Sequence, residues 1–232
     1  MNAVDSMTRR PPSGGMLAAA VALCAALGAA APGAAHAQQA GVVDQCGSLR
    51  NHYGPYDYRV NRGEMLENVE KYHFTPNVEN LLSGMTTTTR EMAADVGYTL
   101  RAFPNHHRAL LAMMRLGERH KADMPPAATY TVECYFIRGI RFAHDDTVVR
   151  GLYAQYLIKH NRKDDAIRQL EAAATYATDN PLSHYNIGLI YFNLGKYDRS
   201  LEEAHKAQAL GLQRPDLAQM LKRVNKWQEP AE

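Results

Sequence analysis

Residues 147 to 180, TVVRGLYAQYLIKHNRKDDAIRQLEAAATYATDN, lie over residues 181 to 214, PLSHYNIGLIYFNLGKYDRSLEEAHKAQALGLQR, without a gap. Each block is 34 residues long, and the register pairs Ala154 with Gly188, Leu157 with Tyr191, Asn161 with Gly195, Asp164 with Asp198, Ile167 with Leu201 and Ala173 with Ala207. A tandem repeat of this length is one supersecondary unit that cannot bury its apolar face alone, so neighbouring units must stack.

The paired residues describe two helices and a turn. Ile187, Gly188 and Tyr191 share one helical face, on which a small residue admits a partner helix and an aromatic one fills the space beside it. Gly195 then ends the first helix, and Asn161 holds that place in the earlier block; glycine and asparagine are the residues that tolerate a left-handed helix end. Asp164 and Asp198 fall in the opening turn of the second helix, where a carboxylate favours the helix dipole.

This pattern resembles the tetratricopeptide repeat, and the resemblance implies an all-α fold, a helix-turn-helix repeat array or α-solenoid with an irregular N-terminal arm. The chain departs from the family pattern at Arg150 and His184, where the motif has a large residue in the first helix. It departs again at Ser200 and Ala204, which replace a small and an aromatic residue. In the family, first helices of successive units line a concave groove that takes peptides or protein segments. The corresponding positions here are Gln155 and Lys159 in one unit, Tyr185, Asn186, Leu189, Phe192 and Asn193 in the next, and His106 from an upstream unit. That lining is apolar, aromatic and amide-bearing, without the Lys and Arg cluster that clamps a terminal carboxylate, so an internal segment or helix is the expected ligand; the alternative is that Leu189 and Phe192 pack on another part of this chain, such as the N-terminal arm.

A degenerate third unit spans 105 to 146. Its first helix is expected from Asn105 to about His120. Its second is expected over 128 to 143, with Val132, Phe136, Gly139 and Ile140 as the packing stripe, after a proline-containing insertion at Lys121 to Pro126. After 214, Pro215 opens a capping helix using Leu217, Met220, Leu221 and Val224, and the tail runs to 232. Upstream, 38 to 61 is rich in Gly, Asn and Tyr without a period and reads as an extended arm. Within 62 to 104, short helices are expected from about Gly63 to His73, using Met65, Leu66 and Val69, and after Thr75-Pro76, using Val78, Leu81 and Leu82. A loop at Met85 to Arg90 precedes a helix from Glu91 to Ala102.

Residues 1 to 37 have the order of a cleavable secretory signal: a polar start with Arg9 and Arg10, an apolar Ala-rich run from Met16 to Ala31, and Ala35-His36-Ala37. The run is short for a membrane span. Leu23 before Cys24 argues against lipoprotein processing, and Pro11-Pro12-Ser13 argues against a twin-arginine signal. A mature periplasmic chain starting near Gln38 is expected. It keeps Cys46 and Cys134, which in an oxidising compartment read as a disulfide; the alternative is two separate thiols, one of them buried.

The chain has 26 basic and 24 acidic residues; taking away Arg9, Arg10 and Asp5 leaves 24 and 23. A nearly neutral chain without a dense basic block is a poor partner for nucleic acid. The sequence holds no HExxH, no glycine-rich phosphate loop and no Gly-x-Ser-x-Gly elbow, so neither a catalytic residue, a metal nor a cofactor is expected. His106 and His107 invite a second reading, a metal-binding protein or enzyme with a His/Tyr site in the N-terminal half. Adjacent helical residues point about 100° apart, however, and Ala109, Leu110 and Leu111 bring no further ligand. The histidines read better as the first turn of a helix opened by Pro104 and Asn105, one toward the groove and one against a neighbour. The favoured function is a scaffold or adaptor that binds a protein or peptide, of undetermined oligomeric state.

Overall fold

In the computed structural model the described residues are 46–82 and 88–230, so the signal-like segment and the start of the arm lie outside them. Among the described residues the chain is all-helical, with no strand. The ten helices are α1 (Glu64–His73), α2 (Pro76–Glu79), α3 (Thr89–Ala102), α4 (His107–His120), α5 (Val132–Phe142), α6 (Thr147–Lys159), α7 (Lys163–Ala177), α8 (Pro181–Asn193), α9 (Tyr197–Ala209) and α10 (Asp216–Arg223). From α2 onward sequential helices pack on one another, α1 packs on α3, and α6 also touches α4 and α8, which makes a helical repeat array.

The tightest pairs are α6 with α7 and α8 with α9, which occupy the two 34-residue blocks. Asn161 and Gly195 both turn left-handed, at φ 59° and 70°, ending the first helix of each pair as their side chains allow. Asp164 and Asp198 sit in the first turns of α7 and α9. A Cβ built on Gly188 would come within 2.7 Å of a Leu217 methyl, so the small residue admits α10 as well as α9.

His184, a departure from the family pattern, is buried and joins the two helices of its pair. Its Nδ1 lies 2.7 Å from Glu203 Oε2, and its Nε2 lies 3.0 Å from the carbonyl of Thr178. Lys206 donates to the same carboxylate, so the buried acid is paired from two sides.

Several local expectations are corrected. Helix α3 begins at Thr89 rather than Glu91, because the Thr88 hydroxyl accepts the Glu91 amide while Glu91 accepts the Thr88 amide, a complete capping box. Of the loop expected at Met85 to Arg90, residues 85–87 lie outside the described residues, and Thr89 and Arg90 belong to the helix. Helix α5 starts at Val132 because Thr131 caps it, and the residues from 128 belong to the insertion. Pro215 stands at the N-cap of α10, one position earlier than a first-turn proline. Met65 and Leu82 are exposed, not core. Leu66 and Val69 form the buried face of α1, which Met65 misses, and the left-handed Leu81 turns Leu82 outward.

The main core runs from Phe74 through Leu110, Met113, Phe136 and Leu157 to Ile190 and Tyr191, continuous across the units. A smaller cluster under α10 joins Tyr185, Ala204 and Ala207 to Leu217 and Leu221, with Leu189, Phe192 and Trp227 against it. A third seats the arm, with Tyr58, Leu66 and Val69 on Ala102 and Phe103.

Candidate functional site

The sequence directs attention to two places, the face formed by the first helices of the units and the histidine pair. On the first, α4 and α6 flank a cleft of about 300 Å³. Buried Met114, Val132 and Tyr156 lie at its base, and Glu118, Lys121, Asp123, Lys159 and His160 stand exposed around it. Glu118 and Lys159 make an ion pair from one helix to the other. The His160 ring packs on Tyr156, with centroids 4.0 Å apart, and burial pushes the Tyr156 phenol up to about 12. The insertion between α4 and α5 supplies Lys121, Ala122 and Asp123 to the wall, so the cleft belongs to the unit that carries extra residues. A space of this size is at the small end for a binding pocket and suits one side chain or a short segment.

Gln155 and Lys159 are exposed on α6, as are Asn186 and Asn193 on α8. The apolar strip expected beside them is not open. Tyr185 is 6% exposed and packs with Leu217 and Leu221, while Leu189 and Phe192 are half-buried in the same cluster. The Tyr185 hydroxyl donates to Asp216 at 3.4 Å, and Phe192 meets Tyr197 at 5.2 Å. The capping helix and the strip were expected separately, and the first covers the second. Apolar area on both elements is removed from water only by that contact.

His106 is likewise not in a groove. It is 0% exposed, and its ring lies between Tyr58 of the arm, at 4.1 Å, and Phe74, at 4.9 Å. His106 Nδ1 accepts the Ala109 amide at 3.1 Å and so caps α4. The proton must then sit on Nε2, which donates to Glu70 at 3.1 Å. Burial drives the His106 pKa down, against the pull of Glu70, which keeps the ring neutral.

His107 reaches both oxygens of Asp146, at 2.9 and 2.8 Å. Asp146 also caps α6 through the amides of Val148 and Val149. Asn105, fully buried, accepts the Tyr58 amide at 2.9 Å and donates to Asp57 at 2.7 Å and Asp146 at 3.0 Å. Arg59 grips Asp145 with two nitrogens, at 3.0 and 3.1 Å, and holds Asp57; its hydrogen bonds keep both carboxyls below their ordinary range. Arg108 does the same for Glu79. The His/Tyr concentration of the N-terminal half is thus spent on holding the chain to itself. Among the described residues no three His, Cys, Asp or Glu side chains converge as metal ligands.

The arm is also fixed covalently, since Cys46 and Cys134 form a disulfide across 88 residues of sequence. Sequence reasoning missed Arg138, a buried cation on α5. It donates to the carbonyls of Cys46 at 2.9 Å and Ser48 at 2.7 Å and lies 4.3 Å from the Tyr130 ring. Desolvation lowers its pKa, and those carbonyls with the ring face offset part of the cost of burying the charge. An arginine one position before Gly139 in an apolar stripe was the signal available.

No family model matches the chain. A stretch of 90 residues is 34% identical to the DnaJ homolog subfamily C member 3 of Gallus gallus, which covers 38% of this chain and 18% of that protein. The chain therefore spans under a fifth of the length of that relative. Among the described residues no helix is long and apolar enough to cross a membrane.

Proposed function

We propose that the protein is an exported helical-repeat scaffold of the periplasm that binds a protein or peptide segment across the first helices α4, α6 and α8. The observation that carries this reading is the cleft between α4 and α6, which joins an apolar base to a charged rim on the face that such arrays use for ligands. The 34-residue repeat and the partial similarity to a DnaJ homolog support a protein-binding scaffold. Export is supported by the signal-like order of residues 1 to 37 and by the Cys46–Cys134 disulfide, which persists in oxidising compartments. The groove is narrower in scope than the sequence suggested. Gln155, Lys159, Asn186 and Asn193 remain available to a ligand, whereas Tyr185, Leu189, Phe192 and His106 serve the protein's own packing.

An array of immobilised peptides, probed with the mature chain starting near Gln38, tests the reading. The double variant Gln155→Glu with Lys159→Glu changes only exposed positions, so its melting temperature is expected to stay close to wild type. Binding to the peptides selected by wild type is expected to fall about tenfold or more, which corresponds to about 1.4 kcal/mol. Unchanged binding by the double variant would move the ligand site elsewhere, and secretion of a chain that retains Met1 would refute export through a cleaved signal.

A further inference from the structure

We propose that the seat of the N-terminal arm is an acid-opened clasp, with His106 as the group whose protonation releases it. The inference rests on which nitrogen carries the proton. Nδ1 faces the Ala109 amide at 3.1 Å and can only accept, and Nε2 faces Glu70 at 3.1 Å and must donate. A neutral ring satisfies both at once. A doubly protonated ring cannot, because Nδ1–H would point at the Ala109 N–H, the helix cap would be lost, and a cation would be left in a fully buried site.

The groups around the ring do not rescue the charge. Glu70 on α1 is already shared with Arg108, 3.1 Å away, and Arg108 is paired with Glu79 on α2. From the arm, Tyr58 presents its ring, and the Arg62 guanidinium lies 4.2 Å from the centroid of that same ring. On α4, Arg108 and His107 add positive charge or none. From the loop before α6, Asp146 is held by His107 and by the two amides it caps.

The sign follows from linkage. The seated ring has its pKa depressed below the ordinary 6.5, so the released ring binds a proton that the seated one refuses. Stability of the clasp is full above that value and is lost as pH falls below it. Asp57, Glu70, Glu79 and Asp145 are all held below their ordinary range and stay ionised in the same window. The other end of the arm does not open, since the Cys46–Cys134 disulfide and the Arg138 bonds to Cys46 and Ser48 do not titrate there. The stretch between Ser48 and α1 then lifts as a flap. It uncovers Ala102 and Phe103, both fully buried, together with the polar groups of Asn105 that had held the Tyr58 amide.

Hydrogen exchange of the mature protein, corrected for the intrinsic rate at each pH, tests this at the Tyr56 and Tyr58 amides. These are bonded to the Ala102 carbonyl at 2.8 Å and to Asn105 at 2.9 Å. Protection is expected to fall about tenfold or more between about pH 7.5 and about pH 5, while amides of α8 and α9 keep theirs. His106→Asn supplies a capping side chain that does not titrate, and its arm protection is expected to be the same at both pH values. Wild-type protection that survives about pH 5, or an equal loss in His106→Asn, overturns the proposal. If His106→Asn does not fold, Glu70→Gln decides the matter. Removing the carboxylate that favours the charged ring lowers the seated pKa further, so the opening midpoint should hold or shift to higher pH, and a midpoint shifted to lower pH overturns the clasp.

Discussion

The two ends of this array are closed by opposite means. At the C-terminal end an amphipathic helix, α10, lays Leu217 and Leu221 over Tyr185, Ala204 and Ala207, a mainly apolar contact with one long hydrogen bond, from Tyr185 to Asp216. At the N-terminal end an irregular arm is held by a disulfide, a buried arginine and a set of hydrogen bonds centred on Asn105, His106 and Asp146. The first closure depends mainly on buried apolar area. The second depends on protons, charges and oxidation state, so one end of the molecule can respond to its surroundings while the other stays shut.

The largest effect expected from breaking this contrast is removal of the covalent tie. Cys46→Ser with Cys134→Ser frees an unfolded-chain loop closed across 88 residues, and the chain-entropy model puts the loss at about 4.6 kcal/mol. Urea unfolding of the double variant is expected to show a midpoint well below wild type with native helicity retained before the transition. Local exchange should rise in the arm and not in α8 to α10. A loss shared equally by both ends would mean that the disulfide supports the array as a whole rather than its N-terminal closure.

How far each closure was legible follows from the same contrast. The C-terminal helix was visible because Leu217 and Leu221 recur at helical spacing beside a proline, and so was the 34-residue repeat that it caps. Its docking site was not assigned: packing of the strip on the chain itself was open, with the N-terminal arm as the candidate, and the structure puts α10 there. Gly151 stands 34 residues before Tyr185, and a Cβ there would meet Ile190 of the next first helix at 3.5 Å. That position faces the following unit, so Tyr185 had to face α10 and could not line an open groove. The arm's seat was illegible for a different reason. Tyr58 finds Asn105 47 positions away and His107 finds Asp146 39 positions away, and hydrogen bonds between such distant residues leave no period to read. The histidine pair was recognised as the start of a helix, but the partner that buries it came from a segment without any pattern.

The next effect in size tests the apolar end. Leu221 is fully buried against the cluster under α10, and Leu221→Ala is expected to cost about 3 kcal/mol through lost burial and the cavity left behind. The expected sign of a separate closure is regional: exchange rises in α8, α9 and α10, Tyr185 and Phe192 become accessible, and the arm keeps its protection. The loss should also be nearly the same at about pH 7 and about pH 5, since most of what Leu221 contributes is apolar burial. Equal loosening of the arm in this variant would show that the two closures are coupled through the continuous core between them.

The smallest effect separates the outer part of the polar closure from its buried centre. Arg59 and Asp145 make a two-pronged ion pair across 86 positions, but their side chains are 33% and 48% exposed. Water competes for both charges, so a double-mutant cycle of Arg59→Ala and Asp145→Ala is expected to give a coupling of only about 0.2 to 1 kcal/mol, shrinking as salt is added. Asn105 differs because it is fully buried and serves Tyr58, Asp57 and Asp146 together, and the Tyr58 amide and Asp146 are buried with it, so these two have no water to turn to if it is lost. A coupling well above the expected range between Arg59 and Asp145 would place the grip on the arm in its exposed charges. Salt would then loosen the N-terminal end as acid does, whereas a small coupling leaves the histidine and asparagine beneath them as the part that holds.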